Sequence, residues 1–347
     1  MTVAYTPTTR KYDMESLIME INKVPVDKTP IYDMFFKSDV SVLDEYEVGM
    51  EEIENYVTSV RMVTPGGVSE LIGNEKWAKK VLDHGMFDIK QPIPVADAVK
   101  IDKYWGANNK DGLTSYLARK GVEAKKALNR YKENWAVQAV FLSTATIITR
   151  NSEGADDTYS LNYGTQITPT ITGVSNLVAA AATLGDIQSA LVDFHEAIEN
   201  AGGSGSTSDM ITIIDGAMRA KLVALRANKK TNDVVLIEKE GDFFMIDGYK
   251  LWYNRGVYYD GGKKVALANK KYGFTNNTGE MLMIDTSAGQ HKARYLKIQN
   301  LNAELKALPM FTQILKDPEG KGMTINTMSN PVILCTAIHS AKKAVNA

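Results

Sequence analysis

The four histidines are the residues best suited to acid–base or metal chemistry, and His84, His195, His291 and His339 lie far apart in the sequence. None has a second histidine, a cysteine or a carboxylate at a spacing typical of zinc ligands, such as HExxH or CxxC. His195 falls on the apolar face of a predicted helix, so we expect it to be packed and hydrogen-bonded. His291 could equally be a surface residue. The histidines therefore predict neither a metal site nor a catalytic base.

The single cysteine, Cys335, lies in the apolar run 332–335 and cannot form an intrachain disulfide. Apolar surroundings raise the pKa of a thiol and disfavour the reactive thiolate. The glycine-rich stretch 202–205 superficially resembles a phosphate-binding loop, but it follows a helix and precedes a strand, the reverse of the order that aims backbone N–H groups at a phosphate. The sequence contains no G-x-S-x-G elbow and no Walker A loop. We therefore predict no catalytic and no cofactor-binding residue.

Two carboxylate pairs, Asp156–Asp157 and Glu196/Glu199, lack an obvious metal partner, so we expect them on a solvated surface. Five aromatic residues between 249 and 259 could stack on sugars or bases, although packing between strands explains them as well. An alternative to be kept open is therefore a carbohydrate-binding or surface-binding protein that uses these aromatic strands.

Composition and charge exclude several classes of protein. Of the 347 residues, 44% are hydrophobic and 23% are charged, which is typical of globular proteins. The formal net charge is -1, from 40 basic and 41 acidic residues. The chain therefore lacks the basic excess that would attract any nucleic acid, whatever the base sequence. Residues 1–7 lack the basic region and apolar core of a signal peptide, and no apolar run approaches roughly 18 residues. We expect a soluble protein without a membrane span, made and kept in a reducing compartment.

The first 47 residues contain little that could form a core of their own. Residues 14–21 could form a short amphipathic helix, and Pro25 and Pro30 then interrupt any regular element. Such a segment cannot bury enough surface alone. We therefore expect residues 1–47 to lie as an arm along the body of the protein or along a neighbouring molecule.

Residues 48–97 are extended and poor in core residues. Alternating apolar residues lead into a Pro-Gly-Gly turn signal at 65–67, a charged middle section follows at 74–80, and a second alternation begins at Phe87. The two alternating ends are expected to pair as β-strands. A long two-stranded excursion is barely stable in isolation. It therefore predicts a partner surface, and it is the first indication of assembly.

Residues 111–148 carry the strongest helical periodicity of the chain. Apolar residues recur at spacings of three, four or seven, and most lysines and arginines fall off that stripe. After Asn134 the segment is apolar nearly all round, so we expect deeper burial there. At 1.5 Å per residue the helix is a rod of roughly 45 to 55 Å. The apolar stripe consists of Leu117, Ala124, Leu128, Tyr131, Trp135, Ala139 and Leu142.

The rest of the chain mixes helix-like and strand-like segments, so the sequence predicts an α+β protein. The predicted elements are helices at 183–200 and 216–228, a flexible connector at 201–208, a buried strand at 210–214, further strands from 234 onward with a hairpin turned at Asp260-Gly261, and two strands within 322–335 separated at Asn330-Pro331.

This order of segments resembles the fold of tailed-bacteriophage major capsid proteins, usually called the HK97 fold. Within that group it is most similar to the lambda head protein (E) type. The resemblance covers nearly the whole chain from about residue 30, and it is one of order and local pattern without a diagnostic motif. The segments that carry it are 60–69 (VRMVTPGGVS), 91–95 (QPIPV), the long helix, 208–220 (SDMITIIDGAMRA) and 328–334 (MSNPVIL).

The resemblance implies an HK97-like division into an N-terminal arm, an E-loop β-hairpin, a peripheral domain with a long spine helix, and an axial domain. The implied boundaries are 1–47 for the arm, 48–97 for the E-loop, 98–178 with 291–347 for the peripheral domain, about 111–148 for the spine helix, and 179–290 for the axial domain.

The resemblance also implies which residues meet which surfaces. The implied E-loop contacts with a neighbouring subunit are Val63, Pro65, Gly66, Gly67, Trp77 and Phe87. The implied core residues of the spine helix are Leu117, Leu128, Tyr131, Trp135 and Leu142. The implied axial-domain hairpin contains Tyr258, Tyr259, Asp260 and Gly261.

The partners implied by the resemblance are, first, further copies of this chain, as hexamers and pentamers that close an icosahedral shell around double-stranded DNA without sequence-specific binding. Scaffold, portal and decoration proteins are typical further partners. Such a protein is found in the virion and is assembled in the host cytoplasm. A related shell that encloses cargo enzymes in place of DNA, as encapsulin-like compartments do, is an alternative with the same fold.

Overall fold

Helices and strands are mixed along the whole described chain, which confirms the predicted α+β class. The computed structural model describes residues 29–37, 40–42, 48–54, 76–82, 86–94, 96, 110–150, 156–172, 176–227, 237–253, 257–260, 263–266, 279–287, 291–298, 300–303, 308–316, 322–335 and 340–344.

The α-helices are α1 (Pro30–Phe35), α2 (Lys110–Leu142), α3 (Leu184–Asn200) and α4 (Gly216–Ala227) within these residues. The strands are β1 (Val40–Val42), β2 (Val48–Glu54), β3 (Lys76–Leu82), β4 (Phe87–Pro94), β5 (Thr144–Arg150), β6 (Asp156–Asn162), β7 (Met210–Ile214), β8 (Ile237–Glu240), β9 (Phe243–Ile246), β10 (Tyr249–Trp252), β11 (Val257–Asp260), β12 (Lys263–Ala266), β13 (Glu280–Asp285), β14 (His291–Tyr295), β15 (Phe311–Lys316), β16 (Gly322–Ser329), β17 (Pro331–Cys335) and β18 (Ser340–Ala344).

The long helix α2 ends at Leu142, so the prediction of a helix to residue 148 was wrong. Ser143 has a φ of 54°, a left-handed conformation that does not continue a helix. The next seven residues form β5, and five of them are β-branched. β5 pairs antiparallel with β6. Strand propensity and a single left-handed residue therefore override the apolar pattern, which by itself continues past the end of the helix.

The second half of α2 is the most deeply buried part of the helix. Trp135 is 2% exposed and Leu128 is 4% exposed, and Tyr131 packs against the same core at its edge. Leu142, which we expected in this core, is 38% exposed, so that assignment was wrong. It is the last residue of the helix, where the chain turns into β5. Leu117 lies in α2, but its side chain is outside the described residues.

A six-stranded sheet, in the order β18-β13-β7-β10-β9-β8, separates two hydrophobic cores. β7 and β10 run parallel and the other neighbours run antiparallel. Because side chains alternate between the two faces of a strand, Ile213 and Leu282 join the core that contains α2, whereas Ile214 and Met283 join the core that contains α3 and α4. The sheet thus links the long helix to the two shorter ones.

The sheet crosses one of the predicted domain boundaries. Residues 291–347 were placed with the peripheral domain, but β18 pairs with β13 and completes the sheet of segment 179–290. Ala341 is fully buried in the core of α3 and α4. The boundary therefore needs correction for β18. A pairing between strands so far apart in sequence leaves no local signal.

The helices predicted at 183–200 and 216–228 and the strand predicted at 210–214 are present. α3 begins one residue later than predicted because Thr183 is its N-cap. The Thr183 side chain accepts a hydrogen bond from the backbone of Asp186, and the Asp186 side chain accepts one from the backbone of Thr183. The predicted break at Asn330-Pro331 also separates β16 from β17.

The first of the two strands predicted to pair within residues 48–97 falls in 55–75, outside the described residues, so that pairing stays a prediction. β4 pairs along its whole length with β16, in a three-stranded sheet ordered β15-β16-β4. β2 pairs with β3, which lies in the section that we expected to be a charged connection. The apolar alternation of β4 predicted a strand correctly, but alternation does not specify which strand lies beside it.

The start of α1 corrects a further expectation. Pro30 was predicted to interrupt regular structure, but it occupies the first turn of α1. The ring of a proline fixes φ near the helical value, and the missing N–H has no partner within a helix at that position. Beyond α1, β1 runs parallel to β14, which pairs with β17.

Candidate assembly surfaces

The predicted arm is anchored to its own subunit by one carboxylate of the long helix. Glu133 in α2 is 5% exposed. Its two carboxylate oxygens accept hydrogen bonds from the backbone N–H of Ile31, at 3.0 Å, and of Tyr32, at 2.9 Å. These N–H groups belong to the first turn of α1 and have no acceptor within that helix. Glu133 therefore satisfies two buried donors and fixes α1 against α2.

Glu133 is held in an unusual electrostatic state. Burial raises the pKa of its carboxyl group to about 7, even though the two backbone hydrogen bonds favour the charged form, and the nearby Asp33 raises it further. The side chain is consequently close to half-protonated near neutral pH. The contact between α1 and α2 thus depends on a group that titrates in the physiological range.

Aromatic and basic side chains complete the contact of α1 with the body. Phe36 is fully buried, and its ring lies 5.5 Å from that of His291. His291 is itself 5% exposed, so it is not the surface residue that the sequence left open. Lys132 donates a hydrogen bond to the hydroxyl of Tyr295, and its ammonium group lies 4.9 Å from the centre of the Tyr32 ring. Helix α1 of the arm is therefore packed into the core of its own subunit.

The β2–β3 hairpin has a different character, because each of its strands pairs only with the other among the described strands. The register runs from Val48 opposite Leu82 to Glu54 opposite Lys76. Of the E-loop residues predicted to contact a neighbour, Trp77 lies in β3. Val63, Pro65, Gly66 and Gly67 lie outside the described residues.

Phe87, which was also predicted to contact a neighbour, has a contact within its own subunit. It begins β4, and its ring lies edge-on to that of Tyr131, with 4.4 Å between the ring centres. Tyr131 belongs to α2 of the same subunit, and the contact with a neighbour stays a prediction. Phe87 follows the hairpin in sequence, and its position at the return of the chain to the body explains why it packs inward.

The glycine-rich connector after α3 is held by side chains, whereas we expected it to be flexible. Ser204 donates its backbone N–H to Asp285 at 2.8 Å, and its hydroxyl donates to Asp209 at 2.8 Å. Nε2 of His195 lies 3.0 Å from the Ser204 carbonyl, and Nδ1 lies 2.9 Å from the hydroxyl of Tyr249. A carbonyl only accepts, so Nε2 donates to it, and in the neutral ring Nδ1 accepts from the tyrosine. His195 is therefore packed and hydrogen-bonded.

Gly203 shows why this connector is rich in glycine. A Cβ atom at this position would lie 2.4 Å from a methyl group of Ile198 and 3.2 Å from the Asp285 carboxylate. Any side chain would therefore push the connector off the end of α3. The glycines permit close approach here, and a composition typical of linkers encodes a fixed turn.

Several of the described residues with possible chemistry are buried. Cys335 is buried, and burial raises the pKa of its thiol to about 12. Within the described residues, no three His, Cys, Asp or Glu side chains come together as metal ligands. Tyr249 and Trp252 are only 4% and 6% exposed, so they are not available to stack on a sugar. This burial counts against the carbohydrate-binding alternative.

The predicted hairpin strands pair, whereas their axial position stays a prediction. β11 pairs antiparallel with β12, Asp260 lies opposite Lys263, and β11 also contacts α2. Tyr258 and Tyr259 lie in β11, and Gly261 falls outside the described residues. Among the helices that the structure describes, none is both long and apolar enough to cross a membrane.

Comparison with known proteins decides the family. Residues 13–346 match the family described as phage major capsid protein E. The chain belongs to the phage major capsid protein E family. It is therefore a structural protein that forms the shell of a virion, and the predicted HK97-like class is confirmed at the level of the family. This membership favours a phage head over an enzyme-filled compartment. No curated protein is significantly similar to this major capsid protein in sequence.

Several solved structures are similar over almost their whole length. The capsid of a native GTA particle is 12% identical, with a TM-score of 0.47, covering 99% of this chain and 96% of that one. Microbacterium phage Oxtober96 is 12% identical, with a TM-score of 0.43 and coverages of 93% and 92%. The satellite phage P4 procapsid including size determination (Sid) protein is 10% identical, with a TM-score of 0.41 and coverages of 96% and 97%.

Proposed function

We propose that this major capsid protein assembles into hexamers and pentamers that close an icosahedral head shell around double-stranded DNA, without sequence-specific contacts to that DNA. The single observation that carries this proposal is the match to the capsid family over residues 13–346. The near-zero net charge supports the absence of tight phosphate binding, because a protein that grips DNA needs a strong basic excess.

The β2–β3 hairpin is proposed as the E-loop that lies over an adjacent subunit. Two-stranded hairpins are marginal in water without a surface to cover them. Among the described strands, β2 and β3 have no partner other than each other. A neighbouring subunit would bury the hairpin and gain the large contact area that a stable shell requires.

The division of the chain follows the implied one, with two changes. We propose an arm at 1–47, an E-loop that ends at Leu82, a peripheral domain built on α2, and an axial domain from 179 to 290. Strand β4 joins the peripheral domain because it pairs with β16, and β18 joins the axial domain because it pairs with β13.

Scaffold, portal and decoration proteins are proposed as the further partners, with assembly in the host cytoplasm before DNA packaging. These partners follow from the capsid family alone. Co-expression with the neighbouring genes, followed by purification of the particles and identification of the bound proteins by mass spectrometry, tests them directly. Particles that contain this chain alone would contradict the proposal for those partners.

Excision of the hairpin tests the E-loop. Because Val48 lies opposite Leu82 in the register, removal of residues 49–81 leaves two ends side by side that an Asn-Gly turn can join. We expect the excised chain to fold, since neither α2 nor the six-stranded sheet pairs with the hairpin. We expect it to form no shells in negative-stain electron microscopy.

A nested excision is the matched control. Glu54 lies opposite Lys76, so residues 55–75 can be replaced by the same turn while both strands are kept. Loss of shells in both variants assigns the contact to the tip, and loss in the larger excision alone assigns it to the strands. Normal shells from the larger excision would refute the E-loop assignment. Failure of the unaltered protein to form any shell or ring would instead count against the shell function itself.

A further inference from the structure

The two helices that cover one face of the six-stranded sheet carry charges of opposite sign. α3 contains four carboxylates and neither lysine nor arginine, whereas α4 contains three basic side chains and no carboxylate. Both helices bury their apolar faces in the same core, through residues such as Phe194 and Leu222. Their opposite faces therefore point away from the sheet, and one is acidic while the other is basic.

Some of these charges already have partners within the subunit. Asp186 closes the capping box of α3, and Asp193 accepts two hydrogen bonds from Thr172. On α4, the ammonium group of Lys221 donates to two backbone carbonyls, and the guanidinium of Arg219 lies 5.0 Å from the centre of a tyrosine ring. These four side chains have structural roles that explain them.

The remaining charges are exposed and unpaired in the part of the chain that the structure describes. Glu196 and Glu199 lie on the outer face of α3 in line with Val192, and Arg226 lies on the outer side of α4 near Val223. The two valines are 36% and 46% exposed. Each helix thus presents an apolar residue beside unpaired charge. The rest of the α4 face is formed by Ala220, Ala224 and Ala227, all exposed.

We propose that the outer face of α3 in one subunit packs against the outer face of α4 in the next subunit of the same capsomer. Glu196 and Glu199 would approach Arg226, and Val192 would approach the alanine-lined face around Val223. Small side chains on α4 let the two helix axes come close. This inference rests on the shell-forming function and assigns one contact within it.

The occupant is a second copy of this chain because both complementary faces are on the same molecule. A symmetric contact of α3 with α3, or of α4 with α4, would place like charges opposite each other, which is unfavourable. A contact of α3 with α4 that repeats head to tail is heterologous and generates a ring when the rotation closes, whereas a closed pair in which α3 meets α4 twice gives only dimers. Rings of subunits are what a capsomer requires.

Charge reversal tests this contact. The acid-reversed variant carries Glu196→Arg and Glu199→Arg, and the base-reversed variant carries Arg226→Glu. Each variant alone places like charges across every copy of the contact, and we expect roughly ten-fold fewer assembled particles by sedimentation and negative-stain microscopy. Mixed in equal amounts, the two variants can alternate around a ring so that every contact again joins opposite charges. We expect the mixture to recover assembled rings or tubes.

The matched control is Glu240→Arg, because Glu240 is exposed in β8 of the same sheet but lies on neither helix. We expect it to assemble like the unaltered protein, and all variants to keep the same thermal unfolding temperature within a few degrees. Normal assembly of either reversed variant would overturn the inference and leave the shell function intact. The inference is also overturned if a reversed variant forms shells that lack a separate surface protein, because that protein, and not a second copy of this chain, would then cover these helices. An unaltered protein that never assembles would overturn both.

Discussion

Protonation of Glu133 is expected to tighten the docking of α1 on α2. Burial raises the pKa of this carboxyl group from its usual 4.5 to about 7 in the folded subunit. When α1 opens, water reaches the group and its pKa returns to the usual value. The docked state therefore binds one more proton between these two values, so the extra stability is fully present below pH 4.5 and is lost as the pH rises through 7. Between pH 5.5 and pH 8 the linkage amounts to about 2 kcal/mol, or roughly thirty-fold in the opening equilibrium.

Hydrogen–deuterium exchange of peptides that cover residues 30–36 measures this opening. The protection factors, corrected for the intrinsic pH dependence of exchange, should fall by roughly thirty-fold from pH 5.5 to pH 8 in the unaltered protein. In the Glu133→Gln variant the side chain is neutral at both values, so this pH dependence should disappear. Exchange that depends on pH equally in both proteins would refute the assignment to Glu133.

Two neighbours and one control make the assay specific. Asp33 in α1 and His291 beside Phe35 are ionisable side chains that remain in the Glu133→Gln variant, so pH dependence that persists there does not come from Glu133. Glu123 is exposed on the same helix beside Lys120. The Glu123→Gln variant should therefore retain the full pH dependence. Its loss in that variant would mean that the effect is a general one of charge on α2.

Three further predictions concern buried contacts. The Tyr163 hydroxyl accepts from the indole of Trp135 and donates to a backbone carbonyl, so Tyr163→Phe should lower the free energy of unfolding by about 2 kcal/mol in urea titrations, and an unchanged value would contradict those bonds. Gly203→Ala should cost roughly 1 to 3 kcal/mol in thermal unfolding, because its Cβ meets a neighbouring side chain, whereas Gly205→Ala should cost clearly less. Cys335 should resist thiol reagents at pH 8 until urea unfolds the subunit, and rapid labelling of the native protein would show that the thiol is not buried.

Local patterns in the sequence located many elements correctly but not their partners. The capping signal at Thr183 and the apolar face of the following segment suffice to place α3, because a helix forms from contacts within one stretch of chain. Alternation also identified β4, yet its pairing with β16 depends on a match more than two hundred residues away. The contact of Phe87 with Tyr131 was not predicted for the same reason, since it arises only when β4 returns to the body.

The contact of Glu133 with the backbone of the arm was not predicted, because a carboxylate on a helix usually faces water. Glu133 lies between Lys132 and Asn134, in a stretch that still looks polar, and nothing near it in sequence shows that two backbone donors approach from residues 31 and 32. The connector after α3 was misjudged because glycine and serine are typical both of free linkers and of tight turns. The contacts of Ser204 with Asp285, Asp209 and His195 distinguish the two.

The long sequence separation between β13 and β18 has a consequence for the order of folding. Until residues 340–344 arrive beside it, β13 has one open row of backbone donors and acceptors in a sheet whose other strands are already present. Strand pairings that span so much chain form slowly, and an open edge of this kind invites pairing with another molecule. A newly synthesised subunit is therefore most prone to misassociate before β18 is in place, and low temperature or a chaperone during expression should increase the yield of assembly-competent protein.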